Sequence, residues 1–194
     1  SGSGSAGSGG FGGKGVSFLG IESNGDRILF IFDASQTVPK AAAAAGFPYE
    51  KIQEEMRNLI KKMHISARFG ISFHNELSTN NFKSDLAPNS KTNRNAADSW
   101  VTQMFSQGKA IGGPPPGGLE GAFTLAKKIK PDVVFIITDG DYQKLGNCKK
   151  IAAEIKDENG KLSQINIILF APKGHRLEAI KDIAKSNKIN VIVK

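Results

Sequence analysis

Cysteine is nearly absent: Cys148 is the only one in 194 residues, which excludes an internal disulfide and any cluster of thiolate metal ligands. No apolar run approaches the roughly 20 residues of a membrane-spanning helix, and no stretch resembles a signal peptide. The three histidines, His64, His74 and His175, fall in separate segments with no ligand spacing; such residues more often sit at surfaces or strand ends. No Ser-His-Asp arrangement can be assembled, and there is no internal repeat. Cys148 lies beside Lys149 and Lys150 but has no paired base, so a structural thiol is expected.

The charge present leans one way, with 26 Lys and Arg against 18 Asp and Glu, a net charge of +8. Its pairs (Lys61 and Lys62, Lys127 and Lys128, Lys149 and Lys150) are dispersed, without interleaved aromatics. They read as solvated helix faces rather than a nucleic-acid footprint, while an acidic partner stays compatible. Residues 1–10 (SGSGSAGSGG) have the composition of a flexible linker. The expected organisation is a linker over 1–15 and one domain over 16–194, a length that suits a single core. No membrane contact by the domain itself is expected. The compartment stays open, and an extracytoplasmic module tethered by an upstream segment is one compatible arrangement. FGGKG at 11–15 fails as a phosphate loop, because Ser8 and Gly15 stand where a glycine and a Ser or Thr are required.

Residues 16–21 (VSFLGI) read as a short strand and 23–26 (SNGD) as a turn. Residues 38–48 (VPKAAAAAGFP) read as a loop with a helical turn in the alanines. Residues 49–63 form an amphipathic helix with Ile52, Met56, Leu59, Ile60 and Met63 on one stripe. Residues 64–74 alternate as a strand, and 75–91 are polar with a short edge strand at their start. Thr92 is expected to cap a helix whose Ala96, Trp100, Val101, Met104 and Phe105 face the core. After the loop 112–118 (GGPPPGG) come a helix over 119–129, a strand after Pro131, a helix over 147–157, a strand over 165–170, a helix over 175–186 and a strand over 190–193. This alternation predicts an α/β fold: a Rossmann-like, doubly wound, mostly parallel sheet of about six strands with helices on both faces.

Two of these strands end alike. Residues 28–32 (ILFIF) run into Asp33, Ser35 and Thr37; residues 133–137 (VVFII) run into Thr138, Asp139, Gly140 and Asp141. Unbroken apolar runs read as strands buried on both faces, and ligands of open α/β sheets bind beyond the strands' carboxyl ends. In the order 3-2-1-4-5-6 the first and fourth strands are neighbours about 4.8 Å apart, so Asp33 and Asp139 would face one crevice. Carboxylates that close repel unless a cation lies between them or one is protonated. With the Ser35 and Thr37 hydroxyls they make an all-oxygen set suited to a hard cation such as Mg2+, with Mn2+ or Ca2+ as alternatives.

The pattern D-x-S-x-T at 33–37, followed by T-D-G-D at 138–141 and G-G…L-E-G-A at the start of the 119–129 helix, resembles the von Willebrand factor type A domain over roughly residues 16–194. The resemblance implies a metal-ion-dependent adhesion site, which in that family uses D-x-S-x-S, a later threonine and a later aspartate. Asp33, Ser35 and Asp139 match by position, and Thr37 keeps the hydroxyl of the second serine. The family's threonine follows a pair of glycines, whereas Pro114 follows Gly112 and Gly113 here. The implied function is a noncatalytic, adhesion-like module for a protein ligand that presents a carboxylate, with a metal weakened or lost through Pro114.

One competing reading is a haloacid-dehalogenase-like phosphatase with Asp33 as nucleophile and Asp139 and Asp141 at its metal. That family places its acid/base aspartate where Ser35 stands, and serine cannot serve as a general acid at neutral pH. Another is a scaffold without metal, in which Ser35 and Thr37 cap a loop and Asp33 accepts backbone amides. The expectation taken forward is not an enzyme.

Overall fold

The computed structural model describes residues 15–187 and 189–194; residues 1–14 of the expected linker lie outside them. A hairpin opens the described chain: β1 (Gly15–Phe18) pairs antiparallel with β2 (Ile21–Asn24). Then follow β3 (Arg27–Asp33), α1 (Val38–Ala44), α2 (Tyr49–Lys62), β4 (Arg68–His74), β5 (Thr79–Asn81), β6 (Ala87–Pro88) and α3 (Lys91–Gln107). The second half holds α4 (Gly118–Ile129), β7 (Val133–Thr138), α5 (Cys148–Ala152), β8 (Gln164–Leu169), α6 (Gly174–Asn187) and β9 (Asn190–Val193). The main sheet runs β5-β4-β3-β7-β8-β9, with β6 also paired to β4. β4, β3, β7, β8 and β9 are parallel, and β5 and β6 are antiparallel.

The apolar runs of β3 and β7 are buried on both faces because the pleat sends alternate side chains into two separate cores. Ile28, Phe30, Phe32, Val133, Phe135 and Ile137 face α2 and α3, where they meet Ile52, Met56, Val101 and Met104. Leu29, Ile31, Val134 and Ile136 face α4 to α6, against Phe123, Ala126, Ile180 and Ile183. The ring of Phe18 wedges the hairpin against the first core, 5.1 Å from both Phe30 and Phe135.

Several sequence expectations are corrected. Among the described residues the main sheet has the expected size, six strands in its path plus the short β6, but the run 16–21 is part of a hairpin and not one strand. Leu19 and Gly20 turn there with positive φ (49° and 78°), which glycine supplies without strain. Residues 38–44 form a full helix, since Pro39 occupies its first turn, where a missing N–H costs nothing. Ser90, not Thr92, caps α3 by accepting from the Asn93 amide, and Ala97, not Ala96, is buried. The strand expected over 64–74 begins at Arg68. The helix expected over 147–157 ends after Ala152, and a bridge between Lys156 and Leu162 follows.

Candidate functional site

Register and pleat together place the chemistry. β3 and β7 are adjacent and parallel, with Phe32 opposite Ile137, and β3 and β4 align Asp33 with His74. Asp33, His74 and Thr138 therefore end three neighbouring strands on one face, the face that carries α4 to α6. Asp33 is 2% exposed, His74 1% and Thr138 0%. One carboxylate oxygen of Asp33 (Oδ2) accepts from Thr138 Oγ1 at 2.6 Å; the other, Oδ1, accepts from the Ser35 amide at 2.9 Å and Ser35 Oγ at 2.5 Å. Thr37 Oγ1 donates to Asp139 Oδ2, and the Asp141 amide donates to Asp139 Oδ1 at 3.0 Å. The four residues expected from the sequence thus form two hydroxyl–carboxylate couples at adjacent strand ends.

Neither Thr138, which opens the T-D-G-D stretch, nor His74, one of the three histidines without ligand spacing, is assigned to the site by the sequence. Thr138 reads as the last residue of a strand, and His74 lies 41 positions from Asp33; only the register reveals both. The Thr138 hydroxyl also accepts from the Gly140 amide at 2.9 Å, which fixes its proton on Asp33. His74 Nε2 lies 4.0 Å from Asp33 Oδ2 and 3.2 Å from the Tyr142 hydroxyl, and its Nδ1 has no partner among the described residues. Burial holds the His74 pKa below the ordinary histidine value, against the pull of the Asp33 carboxylate. Burial and, secondarily, Asp33 raise the Tyr142 phenol, and the same holds for Tyr49, where Asp139 adds to the rise. Neutral groups thus surround the buried side of Asp33.

Asp33 and Asp139 supply the carboxylates of the two couples, and among the described residues no group of three or more His, Cys, Asp or Glu side chains is placed to hold a metal. A cation shell would have to be finished by hydroxyls and water. The donor set fits a hard cation on that basis. Ser35 and Thr37 each give their proton to a carboxylate, so their oxygen lone pairs remain available for coordination. Asp141 belongs elsewhere: Arg176 Nη2 approaches its Oδ1 at 2.9 Å and Lys173 Nζ its Oδ2 at 3.4 Å.

Pro114 sits in a loop strapped to residues 75–80. Its carbonyl accepts from the Thr79 amide at 2.9 Å, Thr79 Oγ1 donates to the Pro116 carbonyl at 2.8 Å, and Ser78 Oγ donates to the Gly112 carbonyl at 3.0 Å. The approach is close enough that a Cβ at Gly117 would stand 2.4 Å from the Asn75 carbonyl oxygen. Among the described residues no hydrogen bond joins loop 112–117 to Asp33, Ser35, Thr37 or Asp139.

Cys148 is fully buried, and burial pushes its thiol pKa up to about 12, with Glu120 adding to the rise. The thiolate is the reactive form, so the native protein is expected to ignore a disulfide reagent such as DTNB at pH 8 and to react with one equivalent once unfolded in guanidinium. Stoichiometric labelling of the folded protein within minutes would contradict this.

A family model described as the von Willebrand factor type A domain matches residues 28–194. Among solved structures, a von Willebrand factor type A protein from Catenulispora acidiphila superposes with a TM-score of 0.60 at 13% identity, over 89% of this chain and 39% of that one. Human COPII-coat protein Sec24c gives 0.54 at 11% identity, over 87% and 29%. Manganese-loaded Plasmodium vivax TRAP protein gives 0.52 at 14% identity, over 83% and 64%. The chain spans less than two thirds of each of these neighbours. No curated protein sequence matches it.

Proposed function

Since the chain belongs to the von Willebrand factor type A domain family, we propose that it is a noncatalytic, adhesion-like protein-binding module built around a divalent-cation site. Asp33, Ser35, Thr37 and Asp139 would hold Mg2+, Mn2+ or Ca2+, and a carboxylate of the protein ligand would complete the shell. The observation that carries this reading is the pair of hydroxyl–carboxylate couples at adjacent strand ends. In it, the Ser35 and Thr37 hydroxyl oxygens would hold the cation, and Asp33 and Asp139 would orient those hydroxyls and offset its charge. When present, the cation supplies a Lewis-acidic anchor for the ligand carboxylate. The similarity in fold to a TRAP protein solved in a manganese-loaded form supports this reading. No observation favours the phosphatase alternative, as Ser35 stands at its acid/base position and Asp141 is engaged by Arg176.

Calorimetric titration with Mg2+ and Mn2+ tests the cation. Wild type is expected to bind weakly, because Pro114 carries no side-chain oxygen. Pro114→Thr keeps the backbone carbonyl that Thr79 uses and adds a hydroxyl. Taken as one charge-assisted contact, it is expected to tighten binding by about 1–3 kcal/mol. Absence of heat in both proteins would reject the cation site. Hydrolysis of p-nitrophenyl phosphate with Mg2+, lost in Asp33→Asn, would overturn the noncatalytic reading.

A further inference from the structure

Beside the four candidate residues opens a cavity of about 350 Å3 lined by Ala34, Ser35, Tyr49, Phe73, Met104 and Phe105. This is within the usual range for small-ligand pockets, about 300–1,000 Å3. Its walls are aromatic: Tyr49 stacks on Phe105 at 4.2 Å between centroids, and Phe73 meets Phe105 edge-on at 5.1 Å. Phe73 and Met104 are buried, while Tyr49 and Phe105 are half-buried. At the lining residue Gly108 an added Cβ would meet nothing within 4 Å, so the cavity is open on that side.

The cavity and the cation site share a wall. Ser35 lines the one and donates to Asp33 in the other, and the Tyr49 hydroxyl donates to the Asp33 carbonyl at 3.4 Å. Charge complements an acidic visitor: exposed Lys40 and Lys109 directly follow the lining residues Pro39 and Gly108, on a chain of net charge +8. Ring walls favour a ring as occupant, since edge-to-face and offset contacts add to burial.

We infer that the protein ligand presents an aromatic side chain next to its cation-completing carboxylate, and that the ring enters this cavity while the carboxylate stands over Ser35 and Thr37. The inference rests on the cation reading above and adds the ligand's second anchor. A carboxylate without a ring would bind through the cation alone.

The test uses 3-phenylpropionate and propionate as probes on the wild-type protein with Mg2+ at saturation, followed by NMR of 13C-methyl methionine. The chain has three methionines, Met56, Met63 and Met104, of which only Met104 lines the cavity, and Met104→Leu assigns its signal. The expected result is that 3-phenylpropionate binds at least about tenfold tighter than propionate, as burial of a ring implies, and shifts the Met104 methyl alone. Equal affinity of the two probes, or a shift confined to Met56 or Met63, overturns the aromatic anchor while leaving the cation site intact. If Mg2+ itself produces no heat, the cation reading fails and this inference falls with it.

Discussion

Phe135→Ala is expected to remove about 3–5 kcal/mol of folding stability. Phe135 is fully buried in the centre of β7, its ring 5.1 Å from Phe18 and 5.7 Å from Phe30. The loss combines the transfer free energy of the ring with a cavity that the flanking strands cannot close, because backbone pairing to β3 and β8 holds them at fixed spacing. Against a domain stability of about 5–15 kcal/mol this is about a fifth or more of the total. Urea unfolding should show a lower midpoint with an unchanged slope. Phe135→Leu, which keeps apolar volume, should cost clearly less. A loss below about 1 kcal/mol for the alanine variant would contradict the packing described. Since Phe18 loses a ring partner, amides of the β1–β2 hairpin should also exchange faster in Phe135→Ala.

Asp33→Ala acts on both binding and folding. The carboxylate accepts three hydrogen bonds, from the Ser35 amide, Ser35 Oγ and Thr138 Oγ1. Without it the Ser35 hydroxyl has no fixed orientation, and loss of such an orienting partner typically weakens a metal site 10–100-fold. Since the wild-type site is expected to be weak already, the Mg2+ heat should vanish. The buried donors left behind should cost about 1–3 kcal/mol even in EDTA. Thermal unfolding with and without Mg2+ separates the two effects: wild type should gain stability from the ion and the variant should not. Equal Mg2+ stabilisation of both proteins would place any bound ion elsewhere.

Much of the architecture could be read from residue order. The buried runs 28–32 and 133–137 can only be satisfied between two helical layers, so their adjacency and the placement of Asp33 and Asp139 followed from the alternation of elements. What escaped were features whose cause lies in the third dimension or in a small local cue. The turn at Leu19 and Gly20 was hidden inside an apolar run that looks continuous. Pro39 reads as a loop residue in the sequence, although a proline just after a start position equally well opens a helix. His74 carries no motif, and Thr138 opens T-D-G-D without a stated role; pairing across three strands makes both neighbours of Asp33. Pro114 stood out as a departure from the family pattern, yet the anchoring of its loop to residues 75–80 through carbonyls depends on a close approach that glycines permit and composition does not announce.

The hydrogen bond between Asp33 and Thr138 joins residues 105 positions apart, which bears on how the molecule comes into being. β3 leaves the ribosome long before β7, and during that interval its apolar run can pair with β4 but lacks its second neighbour. Closing so long a loop carries an entropic cost that must be met before the central pairing repays it, and parallel sheets are intrinsically slow to form for that reason. The crevice between the two strand ends therefore cannot exist until β7 has been made. A nascent chain arrested before Thr138 would have Thr37 without the Asp139 carboxylate that receives its proton and Asp33 without the Thr138 hydroxyl, and so no competence for ligand until synthesis has passed the second strand.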